Sequence, residues 1–574
     1  MDWKETYQTW LNDSKLDKEL KKDLEKHKDD EASLEDAFYT SLEFGTAGMR
    51  GIIGAGTNRM NIYTVRQATE GLALFIEKQG EKMKERGVAI AYDSRHMSKE
   101  FAVESALTLA AHGIKAYVFE ELRPTPELSF AVRHLRAAAG IMITASHNPP
   151  EYNGYKVYGE DGGQLPPKEA DDLTTYVRSV TDILSIDAMD REKAEKEGLL
   201  TFIGHDVDRK YLEALRTVTI DQDLIDRQGR ALKIVFTPLH GTGQMLGEKA
   251  LKQIGFKNVS FVEEQSKPDP DFSTVKSPNP EDPAAFERAI EKGKEVDADV
   301  LIATDPDADR LGLAVKTAKG HYEVLSGNQI AALMVEYIFK AHTLKESLPQ
   351  NSVMLKSIVS SNLPSVIGDK YGVETIDVLT GFKFIAEKIK EFESDHSHIF
   401  MYGFEESYGY LIQPFVRDKD AIQALVMVAE MTAYFKEQGY SLFDAIHELY
   451  HEHGHFVEKT ISVKMDGMEG TEKIKEIMSG LRSQTPEKFG DIQVSMVEDY
   501  KTQTRQKGSS EETIELPPAN VLKYTLADSS WIAVRPSGTE PKIKFYISAC
   551  DDSGVAVQEK VEAFEADIRS RIDF

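Results

Sequence analysis

A chain of 574 residues, 41% hydrophobic and 29% charged, is too long for one core and predicts about three to five packed domains, not a disordered or fibrous chain. Its 96 acidic and 69 basic residues leave a net charge of −27, a field that repels nucleic acid and anionic membrane, so any phosphate site must be a local basic pocket. The single cysteine, Cys550, excludes an intrachain disulfide, the opening Met1-Asp2-Trp3-Lys4-Glu5 lacks the apolar core of a signal peptide, and no uncharged run is long enough to span a bilayer; a cytoplasmic protein is expected.

Residues 1 to about 40 are charged and leucine-spaced (Leu11, Leu16, Leu20, Leu24), predicting one or two surface helices. The glycines of Phe44-Gly45-Thr46-Ala47-Gly48-Met49-Arg50-Gly51 call for unusual backbone angles or close approach. Gly51-Ile52-Ile53-Gly54-Ala55-Gly56 has the wrong spacing for a dinucleotide fingerprint and follows no predicted strand. Beyond it helices and strands alternate: a helix near 64–78, a strand at 88–92, a helix at 98–111, a strand at 115–119, a helix after Pro126, and an apolar strand at 137–143. The order restarts at strand 233–236 and again near Asn328, closing on a helix from Ala421 to Lys436. After Gly454 the pattern changes to strands, one helix, a polar low-order segment at about 502–512, and a strand–loop–strand around Arg535. This predicts an α/β chain of three similar mixed-sheet α/β domains plus a smaller C-terminal α+β domain, with boundaries at 1–206, 207–324, 325–455 and 456–574.

Four loops carry chemistry; taken alone, three also read as ordinary turns and the one around Glu405 as common surface residues. Thr144-Ala145-Ser146-His147-Asn148-Pro149 places a serine just past a strand's C-terminal end, where open α/β sheets put ligand chemistry; no Gly-x-Ser-x-Gly elbow supports a hydrolase. Asp305-Pro306-Asp307-Ala308-Asp309-Arg310 sets three hard oxygen ligands between apolar strands, a pattern for one divalent cation. A calcium EF-hand fails there, because Arg310 replaces the required glycine and Lys316 the bidentate glutamate, so magnesium is expected. Gly403-Phe404-Glu405-Glu406-Ser407 offers Glu405 and Ser407 to vicinal sugar hydroxyls. Arg535-Pro536-Ser537-Gly538-Thr539-Glu540-Pro541-Lys542 joins a guanidinium, two hydroxyls and exposed backbone N–H groups, the donors a phosphate monoester needs; a Pro/Gly hairpin loop is the alternative. His447-Glu448-Leu449-Tyr450-His451 matches the zinc-protease pattern, but Leu442, Ala445, Ile446 and Leu449 form the apolar stripe of that helix and no third ligand is in a suitable context, so a structural helix is expected.

In this order and at domain-sized spacing, the four loops resemble the α-D-phosphohexomutase family over nearly the whole chain beyond the N-terminal helices. The length, the N-terminal extension and the Phe-Glu-Glu-Ser form resemble its phosphoglucomutase branch, the longer bacterial type. The resemblance implies four domains around a central cleft, Ser146 as a phosphoserine, and Asp305, Asp307 and Asp309 with Ser146 as the ligands of one Mg²⁺ per chain. It implies Lys156, in Asn153-Gly154-Tyr155-Lys156, as general base, with His147 and Arg310 in the same catalytic group. Substrate would meet Arg50, Arg95, Thr380, Gly381, Glu405, Ser407 and Lys419, and the phosphate loop Arg535, Ser537, Gly538 and Thr539. Some members carry histidine after the Thr-Gly pair; here it is Phe382, which leaves the second proton-transfer group open.

The implied reaction exchanges glucose 1-phosphate and glucose 6-phosphate through a glucose 1,6-bisphosphate intermediate, with sugar phosphates as the only partners of a monomer or weak dimer. A phosphomannomutase or phosphopentomutase would share every loop. A non-catalytic sugar-phosphate binder is the reading from another class, and the intact serine, lysine and aspartates argue against it.

Overall fold

The computed structural model describes residues 2–45, 48–465, 467–537 and 542–572. The chain divides into two compact units, residues 1–327 with 382–441, and residues 328–381 with 442–574.

The first unit opens with three helices, Trp3–Asn12, Lys18–Lys26 and Glu31–Phe38, where leucine spacing predicted one or two. Asp2, Asp17 and Asp30 each accept backbone N–H groups at a helix start, so the aspartates among the charged residues divide the segment. Tyr7, Trp10, Leu16, Leu24, Leu34 and Phe38 bury a small core of their own against Tyr63, Ile183 and Leu184.

The next sheet has six strands in the order Met49–Ile52, Tyr152–Tyr158, Ala139–Ile143, Val88–Tyr92, Ala116–Phe119, Leu200–Ile203. The last four run parallel, as the alternation of helix and strand predicts, while Tyr152–Tyr158 runs antiparallel to both its neighbours, Ala139–Ile143 and Met49–Ile52. Met49–Ile52 escaped the sequence reading because it is a four-residue edge strand among glycines. Gly48, at φ +93°, leads into it where a Cβ would meet the Tyr155 carbonyl oxygen at 2.0 Å.

A five-stranded mixed sheet follows, ordered Tyr322–Val324, Leu311–Lys316, Val300–Thr304, Lys233–Thr237, Asn258–Phe261. Its central strand Val300–Thr304 is wholly buried, which suits its unbroken apolar run. This unit also holds the hairpin of Ile399–Glu405 with Gly409–Leu411 and the buried helix Ala421–Glu437.

In the second unit, Ser352–Ser357 pairs in parallel with Glu374–Val378. Its C-terminal sheet is antiparallel, running His455–Lys464, Lys542–Asp551, Trp531–Pro536, Leu522–Leu526, Ile492–Asp499, Thr504–Lys507, Ser510–Thr513, with helices Gly467–Ser483 and Gly554–Arg571 alongside. The segment read as low-order is thus a hairpin turning at Gly508 (φ +59°); its strands are polar on both faces, so the alternation that reveals a half-buried strand is absent. Three mixed-sheet α/β domains and a C-terminal domain with an antiparallel sheet are therefore present, and no described helix is long and apolar enough to cross a membrane.

Candidate active site

The buried strand Ala139–Ile143 ends at Thr144, and the backbone then turns through Ser146 at φ +52°. A non-glycine residue there costs on the order of 1–3 kcal/mol and needs the surroundings to hold it. They do so in a chain: Ser146 N–H donates to Thr144 Oγ1 (2.8 Å), whose hydroxyl donates to Asp93 Oδ2 (2.6 Å), while Asp93 Oδ1 accepts from Ser98 Oγ (2.8 Å) and Arg95 N–H (3.0 Å). The Arg95 guanidinium donates to the carbonyls of Ser146, Asn148, Pro149 and Tyr152, and its face lies 5.0 Å from the centroid of the Phe272 ring. Arg95, expected among the substrate-facing residues, therefore turns both terminal nitrogens to the backbone of the serine loop. Arg50 is exposed and donates to Asn148 Oδ1 (2.8 Å).

Opposite the serine, the loop between Val300–Thr304 and Leu311–Lys316 turns through Ala308 at φ +51° and buries Asp305, Asp307 and Asp309 with one oxygen of each within 4.8 Å of the others. Asp305 Oδ2 accepts from Ser146 Oγ (2.7 Å), and Asp305 Oδ1 from the N–H groups of Asp309 (3.1 Å) and Arg310 (3.0 Å). Asp307 Oδ2 accepts from Lys156 Nζ (3.0 Å) and Thr125 Oγ1 (2.8 Å). Asp309 Oδ2 pairs with Lys419 Nζ (3.1 Å). What remains is one buried oxygen on Asp307 and one on Asp309 without a donor. Buried acceptors are ordinarily satisfied, and two orphans in a carboxylate triad fit a bound cation.

The charges respond accordingly. Burial, then repulsion from Asp307 and Asp309, pushes the Asp305 carboxyl well above the usual range. Burial also favours neutral Asp307, but the charge of Lys156 and the hydrogen bonds to that carboxylate outweigh it and hold the group below its ordinary value. Lys419 is raised despite its burial by the carboxylates of Asp309 and Asp418. Arg310 forms an ion pair with Glu281. His147 Nδ1 lies 3.2 Å from Ser146 Oγ; burial and the neighbouring guanidiniums of Arg310 and Arg50 hold the imidazole well below its usual range.

The hairpin after Ile399–Glu405 is fastened to the aspartate loop. Leu311 N–H donates to the Tyr408 carbonyl (3.0 Å), Arg310 bridges to Gly409, and Ala421 N–H donates to the Ala308 carbonyl (3.2 Å). Glu405 is buried and its charge acts on both Arg310 and Lys419. Ser407 is half-buried in the turn. Gly409 lets Lys419 pass: a Cβ there would stand 2.2 Å from Lys419 Cδ.

The first unit thus gathers Ser146, His147, Lys156, the three aspartates, Arg310, Glu405 and Lys419. The second unit holds Thr380, Gly381, Arg535 and Ser537. The buried Thr380 hydroxyl has no hydrogen-bond partner, Gly381 turns at φ +122°, and Ser537 N–H donates to the Lys542 carbonyl (2.7 Å), closing the connection between two antiparallel strands. Gly538 and Thr539 lie outside the described residues. On the helix Leu442–His453, His447 is exposed and packs edge-on with Phe443 and Tyr450, and the aspartate triad is the only metal-competent cluster among the described residues.

Sequence reasoning missed Thr125, Glu281, Asp93 and Asp418. Thr125 and Glu281 sit in Pro-Thr-Pro and Pro-Asn-Pro-Glu runs, whose prolines were the available signal of fixed backbone.

Family models described as phosphoglucomutase/phosphomannomutase match the chain in four parts: alpha/beta/alpha domain I at residues 41–183, domain II at 209–320, domain III at 326–453, and the C-terminal domain at 481–566. Similar curated proteins include a phosphoglucomutase of Staphylococcus epidermidis, 41% identical over 95% of this chain and 97% of its own, and one of Staphylococcus haemolyticus, 40% identical over 92% and 94%. Among solved structures, the fold is shared with the pp63/parafusin phosphoglucomutase of Paramecium in its open form (TM-score 0.67, 17% identity, 93% of this chain and 96% of that one). It is shared equally with a phosphoglucomutase/phosphomannomutase family protein of Burkholderia thailandensis (TM-score 0.66, 18% identity, 93% and 99%).

Proposed function

Because the chain belongs to the phosphoglucomutase/phosphomannomutase family, we propose that it is an isomerase exchanging glucose 1-phosphate and glucose 6-phosphate through a phosphoserine at Ser146 and a glucose 1,6-bisphosphate intermediate. The observation that carries this is the Ser146 hydroxyl, set on a strained turn and 2.7 Å from a buried carboxylate triad with two unanswered oxygens. The names of relatives about 40% identical over nearly the whole chain favour glucose over the mannose and pentose alternatives.

In this reading Asp305, Asp307 and Asp309 hold Mg²⁺ beside Ser146, where a divalent cation supplies charge neutralisation for the phosphoryl oxygens. The phosphoryl group leaves Ser146 Oγ for the free hydroxyl of a hexose phosphate; the P–O bond to serine breaks as the bond to the sugar oxygen forms. The neutral amine of Lys156 would take the hydroxyl proton at Nζ, and the ammonium so formed is the charge that rests against Asp307 Oδ2, 3.0 Å away in this structure. Arg95 keeps the serine loop in position throughout, and Glu405 with Ser407 receives the sugar hydroxyls in either orientation. Arg50 and Lys419 meet substrate phosphate, Thr380 and Gly381 meet the sugar, and the loop from Arg535 through Ser537, Gly538 and Thr539 grips the phosphate that is not reacting. The bisphosphate turns over and returns its other phosphoryl group to Ser146 Oγ.

Incubation with glucose 1,6-bisphosphate, followed by intact-mass and peptide analysis, is expected to place one phosphate on Ser146. Its absence there, in protein that turns over glucose 1-phosphate, would remove the phosphoserine route. A coupled assay on the 1-phosphates of glucose, mannose and ribose assigns the sugar, with glucose expected to give the highest kcat/KM.

A further inference from the structure

The oxygens of Asp307 are not treated alike. Oδ2 has two donors and Oδ1, though buried, has none. One of the two donors, Thr125, comes from the start of the helix Thr125–Leu135, more than 180 positions away in sequence. Its contact is double: the hydroxyl donates to Asp307 Oδ2 (2.8 Å) and its backbone N–H to the Asp307 carbonyl (2.9 Å).

Everything around Thr125 reduces its freedom. It lies between Pro124, at φ −63°, and Pro126, so its backbone is preset on both sides. Its β-branched side chain is stiff at χ1, and the residue is fully buried. Two residues earlier, Arg123 forks onto Asp208 at 2.8 and 3.0 Å, tying the turn to the helix His205–Leu215. A carboxylate free to rotate presents either oxygen to a cation; one whose Oδ2 is gripped by a hydroxyl on a rigid base presents only Oδ1.

From this we infer that Thr125 is a positioning residue for the cation: it fixes the rotation of Asp307 so that Oδ1 is offered as the ligand. The inference rests on the reading of the aspartate triad as a cation site. Outer-shell hydrogen bonds to metal ligands are worth about 10–100-fold in metal affinity, and Lys156 remains on the same oxygen, so the lower part of that range applies.

The test uses Mn²⁺ as probe and needs no turnover. Free Mn²⁺ is followed by electron paramagnetic resonance with the full-length wild type, Thr125→Val, Thr125→Ser and Asp307→Ala, each checked for folding by circular dichroism and thermal melting. Expected is one Mn²⁺ site in the wild type, its loss in Asp307→Ala, an affinity about 10-fold weaker in Thr125→Val, and near-recovery in Thr125→Ser. In turnover, Thr125→Val is expected to need about 10-fold more Mg²⁺ for half-activation while KM for sugar phosphate stays put, a split that general loosening of the fold does not give. If the wild type shows no site that Asp307→Ala removes, the triad reading itself fails. If it does, and Thr125→Val binds Mn²⁺ as the wild type does, the role of Thr125 falls alone. Should Thr125→Val not fold, Thr125→Ala removes the same hydroxyl; if neither folds while Thr125→Ser does, the residue is structural and the inference is overturned.

Discussion

Each unit gathers a cluster of charge, and the two clusters are finished differently. In the C-terminal unit Lys356 sits on Asp377 (3.0 Å), Arg505 on Glu498 (2.8 Å), and Lys523 donates to the Ile358 carbonyl (2.7 Å) while lying 4.7 Å from the Trp531 ring centroid. Each of these charges is answered by protein. In the first unit three carboxylates face two lysines and an arginine, and two oxygens are still left without donors. A completed cluster holds elements together; an incomplete one at the end of a strand marks where something else binds.

The contrast breaks most visibly at Asp307. Asp307→Ala is expected to lower kcat by about a thousandfold or more, since it removes a ligand and the partner of Lys156 together. Excess Mg²⁺ in the assay is expected to restore little, and activity near the wild-type level would end the claim that the first cluster is the reaction centre. Arg535→Ala comes next, at about 10–100-fold, the worth of a charge-assisted fork. The loss should be shared between KM and kcat and be similar for glucose 1-phosphate and glucose 6-phosphate, with Arg535→Lys recovering only part. An effect confined to one substrate would mean that this loop does not hold the non-reacting phosphate in both orientations.

The smallest expected effect belongs to the completed cluster. Burial lowers the Lys523 ammonium from 10.5 to about 8, against the pull of Asp377. Between about pH 8 and 10.5 the unfolded chain binds more protons at this residue than the folded one, so its contribution to stability grows as pH rises and is flat below 8. Relative to Lys523→Met, wild type should gain about 2–5 °C in Tm from pH 8 to 10. Parallel melting curves would show that Lys523 is not held in a low-dielectric site.

Part of the first cluster was legible because its chemistry lies in short runs at strand ends: Ser146 and the three aspartates stand out by type and spacing, whereas Lys156, inside the strand Tyr152–Tyr158, was indicated only by the family resemblance, and Glu405 was a weak signal alone. What was not legible is the set of residues acting at a distance. Thr125 and Glu281 reach the aspartate loop from helices and turns whose letters read as local structure. Arg95 was legible as a basic residue near the site but not in its direction, since only the path of 146–152 shows that four carbonyls converge on it. For the same reason the alternation of strands gave the α/β layers, but the polar hairpin Thr504–Thr513 and the edge strand Met49–Ile52 depend on partners that supply their pattern from outside.

Lys419 bears on how the protein is made. It belongs, with residues 382–441, to the unit that begins at the N-terminus, yet residues 328–381 lie between. On the ribosome the aspartate loop emerges more than 100 residues before the lysine that covers Asp309 and the Ala421 N–H that fastens Ala308. The unit bearing Ser146 therefore cannot close domain by domain in the order of synthesis. It waits, with Asp309 still lacking Lys419, until residues 328–381 have also been made. The high contact order of this closure makes it the slow step expected in folding.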